Sequence, residues 1–496
     1  MEIRYTSTRD NSKSFPASYA IVKGLADDGG LFVPESFPSL TMTLDELAKL
    51  DYKGIAYEVM KLFFTDFTEE ELKFCIENAY DSKFDTKEIA PLSYVDKAYY
   101  LELFHGSTIA FKDMALSILP YLMTVSAKKN NINEEIVILT ATSGDTGKAA
   151  LAGFADVKGT KICVFYPKGG VSAIQEKQMN TQVGNNVKVF GIKGNFDDAQ
   201  TGVKNIFSDV EFNKKINSNG FRFSSANSIN IGRLIPQVVY YVYAYCTLIK
   251  NGKIEDGDCI NFVVPTGNFG NILAGFFAQK IGIPVNKLIC ASNDNKVLYD
   301  FFETGVYDRN REFILTSSPS MDILISSNLE RLIYLSAGSD SEINAQMMNK
   351  LKTDGKYTVS KNMLSYISDM FIGGYANSED VSKRIKEVFD KTGYVLDTHT
   401  AVASSVYKNY VENSKDETPT VIVSTASPYK FTRSVLGAIE GQISDEDDFV
   451  LIDRLNAKSG NPLPKAVEEI RNALILHDNV CEISEMENEI AKFLGI

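Results

Sequence analysis

The chain has 496 residues, of which 44% are hydrophobic and 23% charged, and it contains no tryptophan. This composition is that of a globular protein long enough to form two or three hydrophobic cores. The formal net charge of -13 argues against a nucleic-acid or anionic-membrane surface as the main function, although local donors can still bind a phosphorylated metabolite.

The cysteine and histidine contents favour neither disulfides nor a zinc site. The six cysteines are scattered without a CxxC pair, and most lie in apolar runs, which predicts reduced thiols in a cytoplasmic protein. The three histidines are far apart, so we expect no metal site. The N-terminal residues lack a basic stretch followed by an apolar one, and no window approaches ~18 apolar residues, so we predict neither a signal peptide nor a membrane span.

Residues 1–95 are predicted to form a mainly helical N-terminal unit. Thr68 with Glu71 three residues later matches a capping box, which marks the start of a helix. Apolar residues recur at helical spacings of three and four in three segments, residues 44–50, 55–63 and 72–79.

From about residue 96 the pattern changes to alternating strands and helices, which predicts an α/β protein with parallel sheets. We divide this part into residues 96–235 and residues 236–496, the second ending in a helical tail. The expected strands are 99–104, 136–141, 161–166, 187–192, 259–264, 288–291 and 420–424. The expected helices are 114–119, 146–157, 197–216, 234–249, 272–280 and 400–411, and residues 340–392 read as polar and helix-forming.

One lysine occupies a position suited to covalent chemistry. Lys112 lies between an apolar strand and a helix, beside small and hydroxyl residues and directly after Phe111. A lysine that is removed from water has a lowered pKa and becomes a usable nucleophile towards a carbonyl group. Taken alone this is a weak indication, because most lysines are solvated surface charges.

Two further strand-to-helix loops carry groups that bind anions. In residues 140–148, Ser143 and Thr146 can accept hydrogen bonds from the first N–H groups of the helix, and the remaining N–H groups can hold an anion. In residues 265–271, two glycines let the backbone approach a phosphate closely. Neither loop has the spacing of a nucleotide P-loop or of a dinucleotide fingerprint, and an ordinary capped turn remains the alternative for the first.

Two more loops complete the set. Residues 224–233 are dense in neutral donors and end in Arg233, a combination suited to a phosphate or a carboxylate. Residues 423–431 carry hydroxyls at a strand end, and such a hydroxyl can bond a ring nitrogen without protonating it. Each loop alone could equally have no function. Because ligands bind at the carboxyl ends of parallel strands, the joint occurrence of four such loops and Lys112 favours one ligand site.

The motifs in these loops resemble those of the threonine synthase family, and the resemblance spans nearly the whole chain in the expected order. That family has the fold-type II architecture of pyridoxal-phosphate enzymes, with helices on both faces of its parallel sheets. Its members convert O-phospho-L-homoserine and water to L-threonine and phosphate. The matching segments are residues 5–9, 24–34, 105–113, 140–147, 225–230, 267–270, 321–323, 327–331 and 399–403.

The resemblance implies how the chain holds its cofactor, pyridoxal 5'-phosphate. Lys112 would form a Schiff base with the cofactor and would be the catalytic residue. Thr425 matches the hydroxyl that faces the pyridine nitrogen, and Asp145 would lie near the phenolic oxygen. The cofactor phosphate would be held by the backbone N–H groups of Gly267, Asn268, Phe269, Gly270 and Asn271.

The resemblance also implies where the substrate binds. Ser143, Gly144 and Thr146 match the loop that binds the substrate carboxylate. Ser228 and Arg233 match the substrate-phosphate site. They favour a phosphorylated substrate but do not separate threonine from a 2-oxo acid as the product, so a phospho-lyase or a serine/threonine dehydratase remains the alternative. A metabolite-binding homologue without activity is a second alternative, which the intact Lys112 disfavours.

The sequence departs from the commonest family pattern at four positions. Ser107 and Thr398 stand where proline is usual, and Ser427 and Tyr429 stand where histidine and alanine are usual. Ser427 lies close to Thr425 and therefore bears on the contact with the ring nitrogen. We expect a cytoplasmic monomer or homodimer.

Overall fold

The fold was described from a computed structural model, which covers residues 2–142, 144–443, 445–460 and 462–496. Within these ranges, the strands in chain order are β1 (Tyr5–Ser7), β2 (Phe32–Pro34), β3 (Leu92–Val95), β4 (Ala98–Glu102), β5 (Glu135–Ala141), β6 (Thr160–Pro167), β7 (Val187–Ile192), β8 (Phe221–Ser224), β9 (Ile260–Pro265), β10 (Val285–Ser292), β11 (Val306–Asp308), β12 (Lys356–Thr358), β13 (Phe371–Tyr375), β14 (Thr420–Ser424) and β15 (Val480–Cys481).

Two large sheets organise the molecule. The first has the strand order β13-β10-β9-β14-β4-β3, and its neighbours are parallel except for the antiparallel pair β3–β4. The second has the order β15-β7-β6-β5-β8 and is parallel throughout. Parallel strands of one sheet end at the same edge, so the loops after β4, β9 and β14 gather at one edge and those after β5 and β8 at another.

Helices connect these strands and form most of the N-terminal unit. They are α1 (Ala17–Lys23), α2 (Leu44–Leu47), α3 (Tyr52–Phe63), α4 (Glu69–Ala79), α5 (Asp113–Leu116), α6 (Leu119–Lys129), α7 (Asp145–Phe154), α8 (Ala173–Asn180), α9 (Phe196–Ser208), α10 (Val210–Ser218), α11 (Ile231–Lys250), α12 (Gly270–Lys280), α13 (Val297–Thr304), α14 (Leu329–Ser336), α15 (Ser341–Thr353), α16 (Lys361–Ser368), α17 (Ser378–Thr392), α18 (Thr398–Ser414), α19 (Thr432–Glu440), α20 (Asp448–Ser459), α21 (Lys465–Arg471) and α22 (Met486–Leu494), with short 3₁₀ turns at Pro319–Met321, Pro428–Phe431 and Ile483–Glu485.

Helix α11 lies at the centre of the largest core. Almost all of its residues are buried, and it packs against α3 and α12. The hydroxyls of Tyr240 and Tyr241 donate to Asn271 Oδ1 at 2.6 and 2.7 Å. These bonds fix the first turn of α12, and with it the glycine loop that precedes this helix.

The structure confirms the class of fold and most of the expected elements. The capping box is present, since Thr68 Oγ1 accepts from the Glu71 N–H and Glu71 Oε2 accepts from the Thr68 N–H. No helix of the described ranges is long and apolar enough to cross a membrane.

Three expectations about elements are wrong. Residues 197–216 form two helices, α9 and α10, because Asp209 has an extended backbone and its side chain accepts from the Phe212 N–H at 2.7 Å. The helix expected at 114–119 is divided into α5 and α6, and Pro120 occupies the first turn of α6. Strand β8 lies in a segment that was expected to be loop, and β12 and β13 lie in residues 340–392, which were expected to form helix.

Candidate active site

The lysine turn lies beside the loop that follows β14. The Phe111 N–H donates to the Thr425 carbonyl at 2.8 Å, and the Ser427 N–H donates to the Ile109 carbonyl at 3.0 Å. Lys112 follows at the start of α5, so its backbone is fixed next to Thr425. The Thr425 hydroxyl, although the residue is 5% exposed, forms no hydrogen bond with any described residue.

The Lys112 amine is enclosed. Its side chain is 12% exposed, and Nζ donates to Ser320 Oγ at 3.1 Å and lies 3.8 Å from Asp145 Oδ2. Burial lowers the pKa of Lys112 to about 8; Asp145 opposes this shift, while Lys430 and Arg233 add to it. The amine is therefore neutral more often near neutral pH than a solvent-exposed lysine is.

Asp145 is the carboxylate of this cluster. Gln175 Nε2 donates to its Oδ1 at 2.7 Å, Lys430 Nζ lies 3.1 Å from the same oxygen, and the Ser320 hydroxyl donates to Oδ2 at 3.2 Å. Burial alone would raise the pKa of Asp145, but Lys430, Lys112 and Gln175 hold it well below the usual range. The carboxylate is therefore ionised at neutral pH.

The glycine loop after β9 offers a row of backbone donors. The N–H groups of residues 267–271 donate to no group in the part of the chain that the structure describes, whereas the carbonyls of Gly267 and Asn268 accept from Ser326 Oγ and Asn328 Nδ2 at 2.6 and 2.9 Å. Phe269 has a left-handed backbone with φ 62°. The loop is thus held by its carbonyls and leaves its N–H groups at the start of α12 available to an anion.

Most side chains of this loop pack against other residues of the protein. Phe269 is buried against Phe302 and Phe371, and Asn271 accepts from two core tyrosines. Asn268 is exposed and accepts from Ser327 Oγ at 3.3 Å. Gly270 is the first residue of α12. Besides its backbone N–H groups, the loop offers a ligand Asn271 Nδ2, which is buried and has no hydrogen-bond partner.

Thr142 holds the loop after β5, and the hydroxyl of Thr146 caps no N–H group of the described residues. Thr142 Oγ1 accepts from the Gly144 and Gly147 N–H groups at 3.0 and 2.9 Å. Thr146 is half-buried, and its N–H and that of Asp145 donate to no described residue. Ser143, which was expected both to cap this helix and to bind a carboxylate, lies outside the described residues.

Arg233 is a buried cation on α11. Its Nη1 donates to the Ala226 carbonyl at 2.9 Å, while its buried Nε has no hydrogen-bond partner and no carboxylate of the described ranges pairs with it. Burial lowers the pKa of Arg233 to about 10, so the guanidinium is charged at neutral pH. Ser228 is half-buried in the same loop and bonds no described residue.

The structure adds partners that sequence reasoning missed. Gln175, Ser320 and Lys430 contact the Lys112–Asp145 pair, and His399 accepts from the Ser320 N–H at 3.3 Å. Lys430 is fully buried and donates to the Thr108 carbonyl at 2.8 Å. It belongs to the hydroxyl-rich stretch 423–431, but no local pattern indicates its contact with Asp145.

The fold and the family models together define a pyridoxal-phosphate-dependent enzyme. Residues 95–426 match the model described as "Pyridoxal-phosphate dependent enzyme". Residues 4–80 match "Threonine synthase N terminus", and residues 400–478 match "Threonine synthase, C-terminal". The chain belongs to the threonine synthase family.

Individual relatives agree with this assignment. The chain is 38% identical over 465 residues to the threonine synthase of Schizosaccharomyces pombe. The matched region covers 88% of this chain and 89% of that protein. The structure of PLP-bound threonine synthase from Brucella melitensis matches with a TM-score of 0.89 at 33% identity over 100% of both chains. Yeast threonine synthase matches with a TM-score of 0.89 at 34% identity over 99% of both chains.

The cofactor of this enzyme is pyridoxal phosphate, and the residues present fit it. A buried amine with a lowered pKa, a row of unbonded N–H groups and a free hydroxyl lie at the ends of neighbouring strands. The amine can bond the aldehyde of this cofactor, the N–H groups can bind its phosphate, and the hydroxyl can bond its pyridine nitrogen.

Proposed function

We propose that this chain is a threonine synthase that converts O-phospho-L-homoserine and water to L-threonine and phosphate. The environment of Arg233 is the observation that supports a phosphorylated substrate. A buried guanidinium without an anionic partner is costly, and its unbonded Nε suits a phosphate oxygen. The glycine loop supplies donors for the cofactor phosphate, so Arg233 is available for a second anion.

We assign cofactor binding to the groups whose geometry supports it. Pyridoxal phosphate, when bound, supplies the electron sink that allows C–H bonds near the substrate amine to break. Lys112 is the residue that bonds it covalently, as the buried amine supports. The N–H groups of residues 267–271 would hold its phosphate, Thr425 would contact the ring nitrogen, and Asp145 would interact with the phenolic oxygen.

The substrate occupies the remaining donors. The loop of Ser143, Gly144 and Thr146 binds the carboxylate, and the unbonded N–H groups at the start of α7 support this role. Ser228 and Arg233 bind the phosphate. The leaving phosphate carries a charge of about -2, so the guanidinium stabilises it most as the Cγ–O bond breaks.

Lys112 moves the protons. An amine with a pKa of about 8 can accept a proton and return it near neutral pH. It removes one proton from Cα of the substrate and one from Cβ as phosphate leaves from Cγ, and Cγ then takes up a proton to become the methyl group. Water adds its hydroxyl at Cβ, its remaining proton ends on the released phosphate, and the return of a proton from Lys112 to Cα completes threonine.

Compartment, assembly and domain division remain proposals. We propose a cytoplasmic enzyme, which the six free thiols, five of them buried, support. We also propose that the enzyme is a monomer or a homodimer. We propose that the chain divides into residues 1–95, 96–235 and 236–496, as predicted from the sequence.

A substrate panel tests the proposed function. The cofactor-loaded protein is incubated with O-phospho-L-homoserine, L-homoserine, L-serine and L-threonine, and the organic products are identified by chromatography. We expect the phosphorylated substrate to be converted to L-threonine and the other three compounds to remain unconverted. Comparable turnover of the unphosphorylated amino acids, or 2-oxobutyrate as the main product, would contradict the proposal. Lys112→Ala should lose both turnover and the visible absorbance band of the bound cofactor.

A further inference from the structure

Ser320 bridges the two charged groups at the centre of the site. Lys112 Nζ and Asp145 Oδ2 are 3.8 Å apart, which is too far for a hydrogen bond. Ser320 Oγ lies within bonding distance of both, at 3.1 Å from the amine and 3.2 Å from the carboxylate oxygen. The serine hydroxyl, rather than a direct ion pair, therefore links the two groups.

The chemistry of the three groups fixes the direction of these bonds. An ionised carboxylate only accepts, so the single hydroxyl proton of Ser320 is given to Asp145. Ser320 Oγ then faces Lys112 as an acceptor, and the amine must donate to it. A neutral Lys112 consequently has one N–H directed at Ser320 and its lone pair directed elsewhere.

A second chain of bonds holds Ser320 in place. Its N–H donates to His399 Nε2 at 3.3 Å, and His399 Nδ1–H donates to Asp397 Oδ1 at 3.0 Å. Asp397 is itself fixed, since it accepts from the first N–H groups of α18. The Asp397 carboxylate therefore selects the imidazole form whose Nε2 accepts from Ser320.

We propose that Ser320 is a positioning residue for the Lys112 amine and that His399 and Asp397 hold it in place. The inference rests on the proposed role of Lys112. By accepting one N–H, Ser320 restricts the rotation of the amine and so limits the directions open to its lone pair. Ser320 also stabilises the protonated amine, because an acceptor beside an ammonium group favours its charged form.

The test measures the titration of Lys112 in the full-length, cofactor-free chain. Trace acetylation with acetic anhydride across a pH series, quantified by mass spectrometry of the Lys112 peptide, gives the midpoint. Ser320→Ala should lower this midpoint by about one unit, since a hydrogen bond to a charged group is lost. Ser320→Thr, which keeps the hydroxyl, should restore it. Lys148, a buried lysine bonded to Gln182, serves as the internal control with an unchanged midpoint.

Ser317→Ala is the matched control variant, because this serine lies in the same segment and its hydroxyl bonds no described residue. In the cofactor-loaded enzyme, Ser320→Ala should lower kcat about tenfold and change KM less than twofold. An unchanged Lys112 midpoint in Ser320→Ala, or an equal shift in Ser317→Ala, would overturn the inference. The midpoint does not depend on turnover, so this failure is distinct from failure of the proposed reaction.

The role of His399 is tested by a double-mutant cycle. His399→Ala should shift the Lys112 midpoint in the same direction as Ser320→Ala. The double variant should shift it no further than Ser320→Ala alone, because His399 acts through Ser320. Fully additive shifts would show that His399 acts on the amine independently and would refute the positioning chain.

Discussion

At the scale of single residues, the site buries charges of both signs close to Lys112. Lys430 and Arg233 are cations that lower the pKa of Lys112, and the carboxylates of Asp145 and Asp113 oppose this shift. Arg233 pairs with no carboxylate of the described ranges, and an unpaired buried charge is unfavourable. The phosphate of the proposed substrate would compensate it.

The titration of Lys112 predicts the pH dependence of turnover. Below about pH 8 the released amine is mostly protonated and cannot remove a proton, whereas above it the amine is mostly neutral. We expect kcat at saturating substrate to rise with pH through about 8 and then to level off. The rate should be measured from pH 6 to 9, and a rate that falls over this interval would be inconsistent with Lys112 as the base.

Arg233→Ala separates the two phosphate sites. Loss of charge-assisted hydrogen bonds should lower kcat/KM for O-phospho-L-homoserine about 100-fold, while the visible band of bound cofactor should remain. Arg222→Ala is the control, because Arg222 is half-exposed on β8 and pairs with Glu134. If Arg233→Ala lost the cofactor instead, the guanidinium would belong to the other phosphate.

At the scale of elements, the sequence correctly predicts the strands that have continuous apolar runs. It does not predict strands whose residues are determined by packing against a neighbouring helix. β13 was missed because it contains Gly373 and Gly374, which weaken any strand pattern. A Cβ on Gly374 would lie 2.4 Å from Val406 Cγ1 of α18. The glycine is there because α18 packs directly on the strand, and a single sequence does not show that contact.

The glycine loop has no room for one added methyl group at Gly267. A Cβ on Gly267 would lie 2.5 Å from the Ser320 carbonyl oxygen, so Gly267→Ala must displace the loop or the Ser320 turn. We expect the affinity for pyridoxal phosphate, measured by absorbance titration, to fall at least tenfold. Gly437→Ala in α19 is the control, because its nearest neighbour would be 3.6 Å away, and it should bind the cofactor normally. Unchanged affinity in Gly267→Ala would exclude the loop as the phosphate site.

At the scale of the whole molecule, Arg331 joins segments that are distant in the chain. It is fully buried and donates to the Phe32 and Ile229 carbonyls at 2.8 and 2.5 Å and to Asn328 Oδ1. One side chain therefore ties the N-terminal unit to the loop before Arg233 and to the segment that holds the glycine loop.

Arg331→Met should destabilise the protein strongly. Methionine replaces the aliphatic part of the side chain but leaves two buried acceptors and one half-buried acceptor without their donor, which should lower the free energy of unfolding by about 3 kcal/mol or more. Urea denaturation measures this change. Arg309→Met, at a partly exposed arginine that donates to the Lys352 carbonyl, should change it by less than about 0.5 kcal/mol. Equal effects of the two substitutions would contradict the role of Arg331.

The sequence predicted where most of these loops lie but not the contacts among them. The lysine turn and three of the loops follow predicted strands, because an apolar run followed by glycines and hydroxyls is a local pattern, whereas β8, the strand before residues 224–233, was not predicted. The Lys112–Ser320 bond spans 208 residues, and the contact of Lys430 with Asp145 depends on how two sheets pack. Such contacts leave no local signal, and the roles given to individual site residues stay predictions.

The most direct test of the central claim is the product formed from O-phospho-L-homoserine in H₂¹⁸O, identified by mass spectrometry. The proposed reaction breaks the Cγ–O bond and adds water at Cβ. It predicts L-threonine with one ¹⁸O atom in its hydroxyl group, and phosphate without label. Unlabelled threonine, labelled phosphate or 2-oxobutyrate as the main product would contradict the account.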